Sequence, residues 1–253
     1  VEPLAHTHRP EQLAKVLRKV LFWGCVIVSA KVFLAILYQY RWYFPPDFDA
    51  SPFLAGRRFT FVGLYRGAFY LHLVAGPTAL ILGTVLIFSG GKTRWRRLHA
   101  MLGKTQFVVV ITMVVPSGLV MSLQAYAGTI AETGFLVQSI LTGVTIAAAA
   151  YLARSGKIAA HRRWATRCYL LLWSPLLLRV AAGLVIVSNL ESEWTYRLNA
   201  WLSWLVPLAV YELAWVSSSA KNRAGKRDIA TAGVPAFVAP GSLRSSGGES
   251  PKG

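Results

Sequence analysis

The sequence predicts an all-α protein, a polytopic helical membrane bundle of six transmembrane helices with both termini cytoplasmic. Three observations predict it. The 253 residues are 55% hydrophobic and only 15% charged, against roughly 45–50% and about 25% in an ordinary soluble domain. Six apolar runs recur, each close to the roughly 20 residues a helix needs to cross a hydrocarbon core about 30 Å thick. Lys and Arg keep to alternate connections between those runs. A run of this length in lipid must satisfy its own backbone groups, which leaves helix as the spanning structure.

Residues 1–18 read as a polar cytoplasmic lead-in in which His6 and His8 are solvated. The first span covers about 19–39. It follows Arg18 and Lys19, is too long for a signal-peptide core and lacks a small-residue cleavage site, so it doubles as the membrane-targeting signal. Residues 40–64 form the longest outside connection. Its segment from Arg41 to Phe53, RWYFPPDFDASPF, mixes aromatics with prolines and suits the membrane interface. The remaining spans are expected at about 65–88, 105–124, 133–153, 165–189 and 198–217. The transmembrane domain is therefore 19–217. Residues 218–253, rich in Gly, Ser, Ala and Pro, read as a flexible cytoplasmic tail.

The net charge of +17 would suggest nucleic acid for a soluble protein. Its distribution argues otherwise. Four Lys or Arg up to Lys19, five around 90–104, five around 154–167 and six in the tail share one side. The opposite connections hold five, together with Asp47, Asp49, Glu132, Glu191 and Glu193. By the positive-inside rule the basic side is cytoplasmic. The charge then belongs beside anionic lipid head groups, and no nucleic-acid partner is expected. Cys25 and Cys168 fall within spans and read as buried apolar thiols. Neither CxxC nor CxxCH occurs, so neither zinc nor covalently attached haem is expected.

An internal echo runs through the chain. Arg94 to Gln106 reads RWRRLHAMLGKTQ and Ile158 to Tyr169 reads IAAHRRWATRCY. Each places a His after a basic inside loop and ahead of a span, as two helical hairpins of like orientation would. His99 and His161 are thus candidates for the axial ligands of a b-type haem. The alternative is that each His caps its helix or hydrogen-bonds across a hairpin, with Arg96, Arg97, Arg162 and Arg163 among lipid phosphates.

A second group lies in the outer half of the spans. His72 sits about a third of the way into the second span, Lys31 toward the outer half of the first, and Arg179 inside the fifth. A cation at such depth costs about 2.5–3.5 kcal/mol on insertion scales unless it snorkels or finds a partner. The three could gather around an anionic or carbonyl-bearing ligand, such as a lipid phosphate, a haem propionate or a quinone oxygen. The alternative is snorkelling toward Asp47, Asp49 or Glu132. Glu212 is the one acid well inside a span, at a depth near His99, Lys104, His161 and Arg167. It reads as an ion pair, with Arg167 the cation, or as a proton relay. Pro77, Pro116, Pro175 and Pro207 each interrupt a span and read as kinks whose freed carbonyls neighbours must satisfy.

The chain resembles the domain of unknown function 2306 family of bacterial membrane proteins. The resemblance rests on His72 with Gly76–Pro77, on HAMLGKTQ from His99 to Gln106, on AAHRRWATRCYLL from Ala159 to Leu171, and on Leu178–Arg179. It covers roughly 65–190. Ala100, Lys104 and Gln106 stand where the family pattern has Arg, Arg and Tyr. The resemblance implies a multi-pass protein of the bacterial cytoplasmic (inner) membrane and carries no established activity.

Since no Walker loop, nucleophile elbow, HExxH or paired carboxylates occur, the expectation is a non-catalytic accessory subunit packed against other membrane protein subunits. The alternatives are a small redox carrier binding haem b or quinone, and a transporter.

Overall fold

In the computed structural model the backbone is described for residues 8–90 and 93–232. The described residues form helices and short turns with no strand. In chain order they are α1 (His8–Tyr38), α2 (Gly63–Ser89), α3 (Arg96–Val109), α4 (Val115–Ser122), α5 (Thr129–Arg154), α6 (Ile158–Val187) and α7 (Glu193–Ala232). A π-helical turn, Val110–Val114, joins α3 to α4, and these three together make one span. Six helices are long and apolar enough to cross a membrane, running Gln12–Trp42, Gly63–Ser89, Arg96–Ser122, Thr129–Arg154, Ile158–Val187 and Glu193–Ala220.

The helices overrun the apolar windows. α3 begins at Arg96 rather than near 105, because Arg and Lys are good helix formers even where they are too polar to count toward a span. For the same reason α7 continues past Ser217 into the segment expected to be flexible. Residues 233–253, and the side chains of His6 and His8, lie outside the described residues. The chain divides into two compact units, Val1–Ala209 and Val210–Gly253. The second contains the end of α7 with Tyr211 and Glu212.

Within the first unit, α5 and α6 form a hairpin through a three-residue connection. Gly156 there has φ of 70°, a left-handed conformation in which glycine meets no Cβ penalty. Its neighbour Lys157 donates its N–H to the Leu152 carbonyl at 3.0 Å and Gly156 its own to Ala153 at 3.2 Å, closing the end of α5. So short a turn obliges α6 to return alongside α5, and the two pack along one another. α4 also packs on α5, and α2 packs on α3, α4 and α6. Ala75, Ala79, Val110, Val114, Ile146, Cys168 and Leu172 form a small-residue core where these helices meet. Cys168 is buried there. Cys25 is not: α1 packs against α6, no residue of its apolar stretch is buried, and Cys25 lies on the exposed face.

The connection between α1 and α2 is folded rather than loose. Tyr43, Leu54, Phe61, Tyr65 and Phe69 form a second buried cluster. Phe61 meets Phe69 edge-on at 5.1 Å between ring centroids, and Tyr43 meets Phe69 likewise at 5.1 Å. Such pairs contribute about 0.5–1.5 kcal/mol beyond their area burial.

Candidate functional site

Two prolines shape the interior. Pro77 in α2 has no N–H to offer the carbonyl four residues earlier, that of Leu73. The phenol of Tyr40, on the 3-10 turn Gln39–Trp42 that ends the first span, donates to that carbonyl instead. Pro175 in α6 likewise frees the carbonyl of Leu171. Gln138 of α5 donates its amide there at 3.2 Å, and the Ser174 hydroxyl donates to the same oxygen at 2.9 Å. An unsatisfied backbone group in hydrocarbon costs several kcal/mol, so each kink obliges a neighbour to carry a polar side chain inward.

Between these two kinks lies a cavity of about 270 Å³. α1, α2, α4, α5, α6 and the folded connection between α1 and α2 all contribute to its wall. The lining is mostly apolar and aromatic, with Phe33, Tyr40, Tyr43, Phe53 and Phe69 among it. Its polar groups are His72, Gln138, Ser139, Thr142 and Arg179.

His72 is oriented by Ser117 on α4, which follows the π-helical turn. Its Nδ1 lies 3.0 Å from Ser117 Oγ. That hydroxyl is itself 2.5 Å from the Met113 carbonyl, the residue four positions earlier, and 3.1 Å from that of Val114. Two oxygens at such separation need a proton between them, so the Ser117 hydroxyl is a donor to its own helix. Its oxygen is then the acceptor for His72, and in the uncharged ring the proton sits on Nδ1 and the lone pair on Nε2. The ring also meets the Val114 backbone carbonyl, and Nε2 lies 3.8 Å from the position a Cβ on Gly76 would take, on the cavity-lining stretch of α2. π-turns inside α-helices recur at functional sites because they displace a register of side chains.

Arg179 reaches the same cavity from α6. Its one hydrogen bond among the described residues runs from Nη1 to Gln39 Oε1 at 3.2 Å. The partner is a neutral amide, not Asp47, Asp49 or Glu132. Tyr43, roofing the cavity from the connection, is 3% exposed, and burial pushes its phenol above its ordinary value, against the opposing influence of Arg179 and of a hydrogen bond from Ser51.

The structure brings His72 and Arg179 to one cavity and leaves Lys31 out of it. The Lys31 side chain is exposed on α1, whose thin packing lets it point away from the bundle. His99 and His161 occupy the fourth positions of α3 and α6. His99 Nδ1 lies 3.2 Å from Ser89 Oγ at the end of α2, and His161 Nδ1 lies 2.8 Å from the Ala149 carbonyl of α5. Each thereby ties its helix back to the preceding one, and the two are near enough to influence each other electrostatically. Nearby, Gln106 donates to the Ala79 carbonyl at 3.0 Å, and Tyr169 meets Thr84 at 3.1 Å. Gln106 Oε1 is buried with no partner among the described residues. Arg167 stacks its guanidinium over Trp164, 4.6 Å from the ring centroid. Glu212 is in the second unit. No group of three His, Cys, Asp or Glu suited to a metal ion occurs among the described residues.

Sequence reasoning missed Gln39, Ser117 and Gln138, which orient the two ionisable side chains and satisfy a kink. The signal that could have found Gln138 is the pair of prolines, each of which implies a carbonyl in need of a donor.

Among known proteins, residues 69–215 match the family model described as Predicted membrane protein (DUF2306). No curated protein and no solved structure matches the chain.

Proposed function

The chain belongs to the DUF2306 family of predicted membrane proteins, and from that premise we propose that it is a membrane-embedded binding protein whose cavity receives the polar head of a lipid-soluble ligand. One observation carries the reading: Arg179 stands at an apolar cavity inside the bundle with a neutral amide as its hydrogen-bond partner. A guanidinium has five N–H donors and no acceptor, and an intramembrane cation calls for a partner. A ligand oxygen, anionic or carbonyl, supplies it. The volume of about 270 Å³ is slightly below the roughly 300–1,000 Å³ of sites that enclose a whole ligand, which suits a head group with its tail in lipid.

The test is purification of the full chain in mild detergent, followed by solvent extraction and mass spectrometry. The expected result is a stoichiometric lipid-soluble compound bearing an acceptor oxygen, absent from Arg179→Met. Identical extracts from both proteins would sink the reading.

The same reading puts both termini in the cytoplasm and the protein in a bacterial cytoplasmic membrane, supported by the charge asymmetry of the connections. Reporter fusions at the two ends check the orientation.

A second reading, an accessory subunit, is favoured by α1, which lies exposed along its apolar length and offers a face to another membrane protein. A stoichiometric partner that co-purifies with the intact chain and is lost when α1 exposed residues are replaced would support it. Haem b on His99 and His161 would draw on their Nε2 atoms, since Nδ1 of each faces a neighbouring helix. A reduced-minus-oxidised spectrum with bands lost in His161→Ala is its test.

A further inference from the structure

We infer that the ligand carries a hydroxyl-bearing aromatic head, a hydroquinone rather than its quinone, because Ser117 fixes His72 as a hydrogen-bond acceptor at the cavity it lines. The inference rests on the binding reading above and names its ligand class.

The argument starts from Ser117. Its hydroxyl proton is committed to the backbone of its own helix, at 2.5 Å from the Met113 carbonyl. Its oxygen can therefore only accept from His72 Nδ1, 3.0 Å away. With the proton on Nδ1, Nε2 of this cavity-lining residue carries a bare lone pair. Reversing the tautomer would set a lone pair on Nδ1 against the Ser117 oxygen, a buried contact between two acceptors that is costly to leave unrelieved.

The cavity thus offers two unlike poles. Arg179 donates and cannot accept; His72 Nε2 accepts and cannot donate. A ligand that satisfies both presents an oxygen acceptor and an O–H. Phe33, Tyr40, Phe53 and Phe69 line the same cavity, and aromatic side chains favour a flat aromatic ring by offset or edge-to-face contact. A hydroquinone has this pattern: one hydroxyl oxygen accepts from Arg179 and the other O–H donates to Nε2. The oxidised quinone has two acceptors and leaves Nε2 facing a carbonyl oxygen. Saturated fatty acids satisfy Arg179 and lack the ring and the distal donor.

The experiment measures binding to the full chain in phosphatidylcholine nanodiscs under nitrogen, with three probes: decylubiquinol, decylubiquinone and decanoate. The expected result is that the quinol binds about tenfold more tightly than the quinone, the difference that one net hydrogen bond makes, and more tightly than decanoate. His72→Phe keeps the ring and removes the acceptor, so the quinol preference should fall to near unity. Ser117→Ala, a smaller change, frees the tautomer and should shrink the preference while both forms still bind. A loss of affinity for both forms in equal measure would mark Ser117 as merely structural and overturn its positioning role. Equal binding of quinol and quinone by the unaltered chain, or tighter binding of quinone or decanoate, would overturn this inference and leave the cavity reading standing. Failure of all three probes to bind would overturn both.

Discussion

Tyr40 donates its phenolic hydrogen to the carbonyl of Leu73, the carbonyl that Pro77 leaves without a helical partner. The relationship joins a residue at the end of the first span to the kink in α2. It ties the end of the first span, and the connection that follows it, to the packed helices. It also separates two things that look alike in sequence, an interfacial tyrosine and one that completes a broken helix.

If the phenol completes the helix, Tyr40→Phe leaves the Leu73 carbonyl unpaired in an apolar site and costs about 1–3 kcal/mol. Pro77→Ala restores an N–H for that carbonyl, so the same Tyr40→Phe change should cost measurably less in that background. Thermal unfolding of the four proteins in one detergent gives the cycle. Equal costs in both backgrounds would show that the hydroxyl acts elsewhere.

α4 and α5 approach closely at Gly118. A Cβ there would stand 2.7 Å from Ser139 Oγ and 3.7 Å from His72 Cε1. Gly118→Ala is expected to destabilise by about 1–3 kcal/mol through overpacking, and Ser139→Ala in the same chain should recover much of the loss. A Gly118→Ala protein as stable as the parent would mean the two helices separate at little cost.

Arg179→Met should affect the empty and the occupied protein in opposite directions. Removing a half-buried cation stabilises the ligand-free chain, by about 1–3 kcal/mol once the insertion cost of about 2.5–3.5 is discounted for partial exposure, and its unfolding midpoint rises. Binding of an acceptor-bearing ligand falls at the same time. Stability and function moving apart is the signature of a residue retained for a site. A drop in stability of the ligand-free variant would instead assign Arg179 to the scaffold.

Tyr43 gives a pH dependence outside the spans. Burial raises the folded-state value of its phenol above the unfolded value near 10. Above that pH the unfolded chain releases the proton and the folded chain retains it, so the stabilisation present below about pH 10 is lost as pH rises toward the folded value. Tyr43→Phe should flatten the alkaline limb of the unfolding curve; an unchanged slope would contradict it.

The six spans could be read from the sequence because a water-soluble core seldom calls for an apolar run long enough to cross a bilayer. His72 and Arg179 were legible for a related reason: an ionisable group within such a run is too costly to sit there idly. Lys31 looked equivalent and was not, since depth along a helix does not say which way the side chain turns. Gln39, Ser117 and Gln138 stayed hidden because neutral polar residues are common in membrane helices. The π-helical turn has no sequence mark beyond Pro116.

The interlocked rings of Tyr43, Phe61 and Phe69 pack beside the cavity that Tyr43 and Phe69 line. On the binding reading proposed above, a lipid-soluble ligand enters from the acyl chains. Occupancy is then governed by how much of the compound dissolves in the bilayer, and mole fraction in lipid, not aqueous molarity, is the concentration against which saturation should be plotted.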